Sequence, residues 1–332
     1  MHLHTRFTHA FGLTTPIALA PMALASGGDL SAACAQAGAL GLLGGGYGEL
    51  EWTLREHHLA LQALSGQPEA MARLGCGFIT WRLDQDASAF DAMLDQAHRP
   101  AAMMLSFGDP RPYRQRLHAA GVPLICQVQN LAQMPWAIEA GAAVLVVQGM
   151  EAGGHGMSAL QGRGTFALVP EAADWLAANA PHTLLLAAGG VADGRGLAAA
   201  LALGADGALI GSRLWASRES LASDGAKQQA VATNGDGTAR SAVFDILRRK
   251  NWPAPYDFRA IRNGLHRHWE DRIDTLRADP EAARADYQAG VATGDFDRAH
   301  ATVGEATGLI HDLPSAQDLI ARITAQAQRI RA

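Results

Sequence analysis

The sequence predicts an α/β fold: a (β/α)8 TIM barrel with a smaller helical cap domain inserted after strand eight. Three observations carry this expectation. A phrase recurs in "CAQAGALGLLGGG", "LHAAGVPLICQVQ", "AIEAGAAVLVVQG" and "LALGADGALIGSR". Each has a helix-like tail, a glycine (Gly38, Gly121, Gly141, Gly204) and then a short apolar run. Glycine suits the left-handed position just past a helix end. The apolar runs also lack polar alternation, as strands covered on both faces do. Finally, eight such units fall within roughly 200 residues, which fits a closed barrel.

The candidate strands, in order, are Pro16–Met22, Leu40–Gly46, Leu74–Thr80, Ala101–Phe107, Pro123–Gln129, Ala142–Gln148, Thr183–Gly189 and Gly207–Leu214. Helical stretches between them imply parallel strands joined by right-handed crossovers. An open doubly wound sheet is the competing architecture, but "GGGYGEL" fails the GxGxxG spacing of a dinucleotide fold, and there is no Walker A sequence. Residues 1–214 are read as the barrel. Residues 215–300 are richer in charge and aromatic groups and carry helical periods, so they are read as the cap. In residues 301–332, "PSAQDLIARITAQAQRI" places Leu319, Ile320, Ile323 and Ala327 on one helical face, with Ser315 as N-cap. This is expected to be the last barrel helix.

Composition narrows the function. The chain has 332 residues, 48% of them hydrophobic, and a formal net charge of −5. That is ample for a large core, and the mild acidity argues against nucleic-acid binding. No apolar run approaches a membrane span, and the N-terminal "MHLHTRFTHAFGL" lacks a signal-peptide core. Cys34, Cys76 and Cys126 form no CxxC pair and read as buried small hydrophobes in a reducing compartment. A cytoplasmic protein without a metal site is expected; the sequence assigns no oligomeric state.

Barrel chemistry sits where strands end. Strand one ends in "APMA", with Met22 and Ala23; strand three ends at Thr80; strand five carries Gln127 and Gln129. Strands seven and eight end in Gly189–Gly190 and Ile210–Gly211–Ser212. Side-chain-poor turns at those two ends are where barrels commonly bind phosphate through backbone amides. Strand six runs from Gln148 into "GMEAGGHG". There His155 follows a loop whose glycines Gly153, Gly154 and Gly156 are expected to clear space for a ligand, and imidazole exchanges a proton near neutral pH. Glu151 is read as setting the loop or capping a helix. His57, His58, His266 and His268 read as surface residues, and Arg248–Arg249–Lys250 as a solvated helix end.

Together, "PIALAPMA", "QGMEAGGHG" and "AAGGVADGRGLAAALALGADGALIGSR" resemble the nitronate monooxygenase family, formerly the 2-nitropropane dioxygenases. The resemblance spans about Pro16 to Arg213 and, more weakly, "GEATGLIHDLPSAQDLI". It implies a barrel holding FMN non-covalently beneath a helical second domain. It also implies oxidation of alkyl nitronates, or of nitroalkanes, with O2 to carbonyl compounds and nitrite. By motif, the flavin contacts fall on Met22, Ala23, Thr80, Gln148, Gly153, Gly189, Gly190, Ile210, Gly211 and Ser212, and His155 matches the family's histidine beside the reactive face. Thr80 stands where the family often has asparagine, and Ala143 where it often has an acid. Two other readings stay open: an NAD(P)H-dependent FMN reductase of quinones or enoyl thioesters, and a non-catalytic barrel binding a flavin or another phosphate ligand.

Overall fold

The computed structural model describes residues 3–332. Eleven strands are present in chain order among them: β1 (Ile17–Leu19), β2 (Gly41–Gly46), β3 (Leu74–Ile79), β4 (Met103–Ser106), β5 (Leu124–Val128), β6 (Ala142–Gln148), β7 (Gly154–Met157), β8 (Leu184–Ala188), β9 (Gly207–Ile210), β10 (Thr238–Ser241) and β11 (Tyr256–Ile261). Eight form one sheet in the order β1-β9-β8-β6-β5-β4-β3-β2, with every pair parallel. The Ala18–Leu40 bridge joins β1 to β2, with backbone bonds Leu19 N to Leu40 O (2.9 Å) and Leu40 N to Ile17 O (3.0 Å). The sheet thus closes into the expected barrel.

Both faces of the barrel strands are buried, which explains their unbroken apolar sequence. On β6, Val144 and Val146 fill the interior with Ala18, Leu42, Met104, Ile125 and Leu186. Leu145 and Val147 face outward against the helix Thr165–Asn179 through Leu168, Val169, Ala172 and Leu176. Phe7, on the short helix Arg6–Phe11, packs into the interior cluster. The final helix, Ala316–Arg331, buries Leu319, Ile320, Ile323 and Ala327 against β1, β9 and the helix Gly194–Ala202. Ser315 caps it, its Oγ accepting from Asp318 N at 3.0 Å.

The segment 215–300 differs from the expected helical cap. It contains helices such as Val243–Leu247 and Glu281–Thr293, but also β10 and β11. These strands form an antiparallel sheet, β10-β11-β7, whose third member comes from the chain after β6. The alternation of Tyr256, Phe258 and Ala260 in "YDFRAI" is the period-two signal of that strand. Phe258 and Ala260 enter a separate apolar core with Val243, Phe244, Leu247 and Tyr287. "GGHG" is therefore the edge of a sheet shared with the insert.

Candidate active site

The C-terminal ends of β1, β8 and β9 meet because these strands are neighbours. Gly189 and Gly190 both have left-handed backbones, φ +96° and +75°, which glycine adopts without the Cβ clash. A Cβ on Gly190 would meet only Glu151 side-chain carbons, at 3.7 and 3.9 Å. A Cβ on Gly211 would meet only Ala20 Cβ at 3.7 Å and Met22 Sδ at 3.8 Å. Gly190 and Gly211 are thus side-chain-free positions of the kind that let backbone amides meet an anion, whereas a Cβ on Gly189 would strike Thr165 Oγ1 at 2.9 Å and the Gly149 carbonyl at 3.0 Å. Ser212 Oγ accepts from Gly304 N at 2.9 Å and keeps its proton to donate. Ala23 lies against the end of β2, where a Cβ on Gly46 would strike it at 2.5 Å. Ile210 contributes only backbone here: its side chain is fully buried in the outer core, and its carbonyl accepts from Ala20 N at 3.0 Å.

Two buried polar atoms at the ends of the strands flanking β4 have no hydrogen-bond partner: Thr80 Oγ1 after β3 and Gln129 Oε1 after β5. Both residues are about 1% exposed. Such atoms carry a desolvation penalty unless a ligand satisfies them. Gln129 Nε2 donates to Gln148 Oε1 at 3.3 Å, and Gln148 Nε2 donates to the His155 carbonyl at 3.1 Å. This amide chain ties the rim of β5 to β6 and then to β7. This bond places Gln129 among the candidate site residues; an amide ending an apolar strand is its signal in the sequence.

His155 lies on β7 opposite Phe258 of β11. Its ring stacks on Trp252 at 3.4 Å and 11°, and meets the Phe258 ring at 4.8 Å. Its Nε2 lies 2.9 and 3.0 Å from the carboxylate oxygens of Asp245. Burial outweighs the attraction of Asp245 and pushes the imidazole down to about 4, with Arg248 and Arg240 acting in the same direction. The ring is therefore neutral at physiological pH. Trp252 is in turn bounded edge-on by Tyr47, Trp81, Phe107 and Tyr256. These aromatics come from the ends of β2, β3 and β4 and from the insert, so the histidine sits where insert and barrel rim meet.

Several local expectations need correction. Two of the three loop glycines, Gly153 and Gly156, make room for protein, while a Cβ on Gly154 would meet only the Thr302 methyl at 3.7 Å. A Cβ on Gly153 would lie 2.5 Å from Gly304 N and the Val303 carbonyl carbon, and one on Gly156 would lie 3.0 Å from the Arg240 guanidinium. Arg240 clamps this segment, donating to the carbonyls of Ala152 and Asp257 at 2.7 Å each. His57 and His266 are buried, not surface residues, because each packs on the inner side of its helix, while His58 and His268 are exposed. Of the basic triplet only Arg249 is exposed: Arg248 lies over the Phe258 ring and Lys250 over Tyr47. Glu151 does cap a helix, accepting from Thr165 N at 2.8 Å and Thr165 Oγ1 at 2.9 Å. Nothing local in the sequence singles out Asp245 or Trp252, since each meets His155 only through tertiary folding.

The chain matches known proteins along most of its length. The sequence model described as nitronate monooxygenase matches residues 76–326. The nitronate monooxygenase npaC of Metarhizium robertsii is 33% identical, over 94% of this chain and 90% of that protein. Among solved structures, FabK from Thermotoga maritima superposes with a TM-score of 0.81 at 25% identity, covering 99% of this chain and 97% of that one. The nitroalkane oxidase of Streptomyces ansochromogenes shares the fold, with a TM-score of 0.76 at 23% identity and 98% coverage of both chains.

Proposed function

The chain belongs to the nitronate monooxygenase family, and from that premise we propose that it is an FMN-dependent oxidoreductase converting alkyl nitronates and O2 to carbonyl compounds and nitrite. One juxtaposition supports this reading above all. The glycine turns Gly189–Gly190 and Gly211–Ser212 lie at the same end of the barrel as a largely buried histidine whose proton affinity is pushed down, which supports an anion cradle beside a proton acceptor. Gln148 connects them, being in register with Ala188 on one side and bonded to the His155 carbonyl on the other.

In this reading, backbone amides of Gly190, Gly211 and Ser212 hold the FMN phosphate, and Met22 and Ala23 line the same end of the cradle. Thr80 Oγ1 and Gln129 Oε1, buried and unpartnered, supply a donor and an acceptor to polar ring atoms. Bound FMN supplies the electron acceptor; the protein positions, desolvates and moves protons. Tyr47, Trp81, Phe107, Trp252 and Tyr256 restrict water around His155, and His155 handles the substrate proton. Three free, buried cysteines support a reducing compartment such as the cytoplasm, and no helix among the described residues is long and apolar enough to cross a membrane.

The test is anaerobic mixing of the purified yellow protein with propionate-3-nitronate and, separately, with NADH. Fast bleaching by the nitronate and slow bleaching by NADH are expected. The opposite order identifies a reductase, and bleaching by neither identifies a binding barrel. A chain that takes up no FMN overturns the whole assignment.

A further inference from the structure

The His155 ring is hemmed in by aromatic rings and a carboxylate. Trp252 stacks on it at 3.4 Å, and the Phe258 ring lies tilted against it at 4.8 Å. Nε2 is held by both oxygens of Asp245, and the two side chains are 9% and 7% exposed. A carboxylate only accepts hydrogen bonds, so the nitrogen facing it carries the proton, and a neutral imidazole then has its lone pair on the other nitrogen. That nitrogen, Nδ1, makes no hydrogen bond among the described residues, whereas Nε2 makes two. Asp245 lies on the insert helix Val243–Leu247, is 5% exposed, and reaches His155 across ninety positions of sequence.

We propose that Asp245 is a positioning residue that fixes His155 as the Nε2–H tautomer, so that Nδ1 takes the α-proton of a neutral nitroalkane. The inference rests on the functional reading above and assigns its acid–base step. The α-carbon C–H bond breaks and its electron pair enters the C=N bond of the nitronate. The proton bonds to Nδ1, and the resulting imidazolium is balanced by the Asp245 carboxylate against Nε2. No electron leaves the substrate in this step. A ready-made nitronate bypasses it, so Asp245 matters more for nitroethane than for ethyl nitronate. A merely structural carboxylate would affect both alike.

The experiment compares kcat/KM for nitroethane and ethyl nitronate in the wild type, Asp245→Asn and Asp245→Glu, with 1,1-dideuterated nitroethane as a third substrate. A positioned general base contributes roughly 10²–10⁴-fold. Asp245→Asn should therefore lower the nitroethane-to-nitronate ratio at least about tenfold and raise the deuterium isotope effect, and Asp245→Glu should restore part of the ratio. Equal losses on both substrates, or a wild type that oxidises ethyl nitronate but not nitroethane, overturn the proposal. Nitrogen-15 NMR of the imidazole in the wild-type holoenzyme determines the tautomer even where Asp245→Asn does not fold. A protonated Nε2 is expected, and a protonated Nδ1 refutes the assignment. A wild type inert towards ethyl nitronate removes the functional reading instead, while the NMR result still reports on Asp245.

Discussion

Gly190→Ala separates cofactor binding from folding. Gly190 has φ +75°, where an L side chain costs ~1–2 kcal/mol. The added methyl would touch only Glu151 carbons, at 3.7 and 3.9 Å, so no steric penalty is added to the backbone one. The apoprotein should lose ~1–2 kcal/mol and melt a few degrees lower. The same methyl keeps the FMN phosphate from the amide behind it. Loss of one charge-assisted hydrogen bond, worth ~1.5–3 kcal/mol, weakens FMN binding by roughly ten- to hundredfold. Gly153→Ala should do the reverse. Its Cβ would lie 2.5 Å from the Val303–Gly304 backbone, which cannot retreat as a flexible side chain does, so stability suffers first. The assay is fluorescence titration of each apoprotein with FMN beside a thermal melt. A Gly190→Ala apoprotein that binds FMN with wild-type affinity refutes the cradle assignment.

Other consequences follow from single contacts. Thr80→Val deletes a buried hydroxyl that has no partner, so the apoprotein should be as stable as wild type or more so, while FMN affinity falls about fivefold, near 1 kcal/mol; a variant equal to wild type in FMN titration excludes that contact. Arg240→Met removes the donors to Ala152 O and Asp257 O, with a net loss of ~1–3 kcal/mol and faster amide exchange over residues 150–157; unchanged exchange there would show that the clamp is idle. Burial pushes His57 and His155 down to about 4 and His300 to about 3, whereas the unfolded chain takes up these protons near pH 6.5. The unfolded state thus binds more protons between those values, so the contribution of these histidines to stability is full above about pH 6.5 and falls as pH drops towards 4. Urea melts at pH 7.5, 6 and 5 should show a declining midpoint, and a rising one contradicts neutral burial.

The barrel is legible in the sequence because its signal is local. Residues 142–147 are apolar, end at Gln148 and are preceded by a left-handed glycine, Gly141 at φ +85°, so both ends of the sixth strand can be read to the residue. Strand eight is expected to reach Leu214 but stops at Ile210, because the backbone turns at Gly211 and Ser212 opens a helical turn. "AAGG" and "IGS" are legible as the turns ending β8 and β9 for the same local reason. The surroundings of His155 are illegible because every partner is distant. Its strand pairs with β11 about a hundred residues later, its Nε2 partner is ninety positions away, and a glycine-rich "GGHG" has little strand propensity of its own. Tertiary pairing makes that strand, and pairing of this kind leaves only the alternation in "YDFRAI" as a trace.

That division between local and distant signals matches the division of labour in the proposed function. There, the cradle for FMN is drawn from ends of β1, β3, β5, β8 and β9, all barrel strands whose positions are set by the closed sheet. The proposed proton-handling group, His155, is different. His155 is bonded to Asp245, stacked on Trp252 and paired with Phe258, and each of these belongs to the insert. Its carbonyl is held to the barrel by Gln148, and the carbonyl of the preceding Gly154 is clamped by Arg240, again from the insert. Substitutions at Asp245, Trp252 or Arg240 should therefore change turnover at nearly constant FMN affinity, whereas those at Gly190 or Thr80 should change affinity before turnover at saturating FMN. Measuring FMN affinity and saturated kcat across both sets tests this directly: a Trp252 variant that sheds FMN as readily as Gly190→Ala would mean the insert holds the cofactor, and the two functions would not be separable.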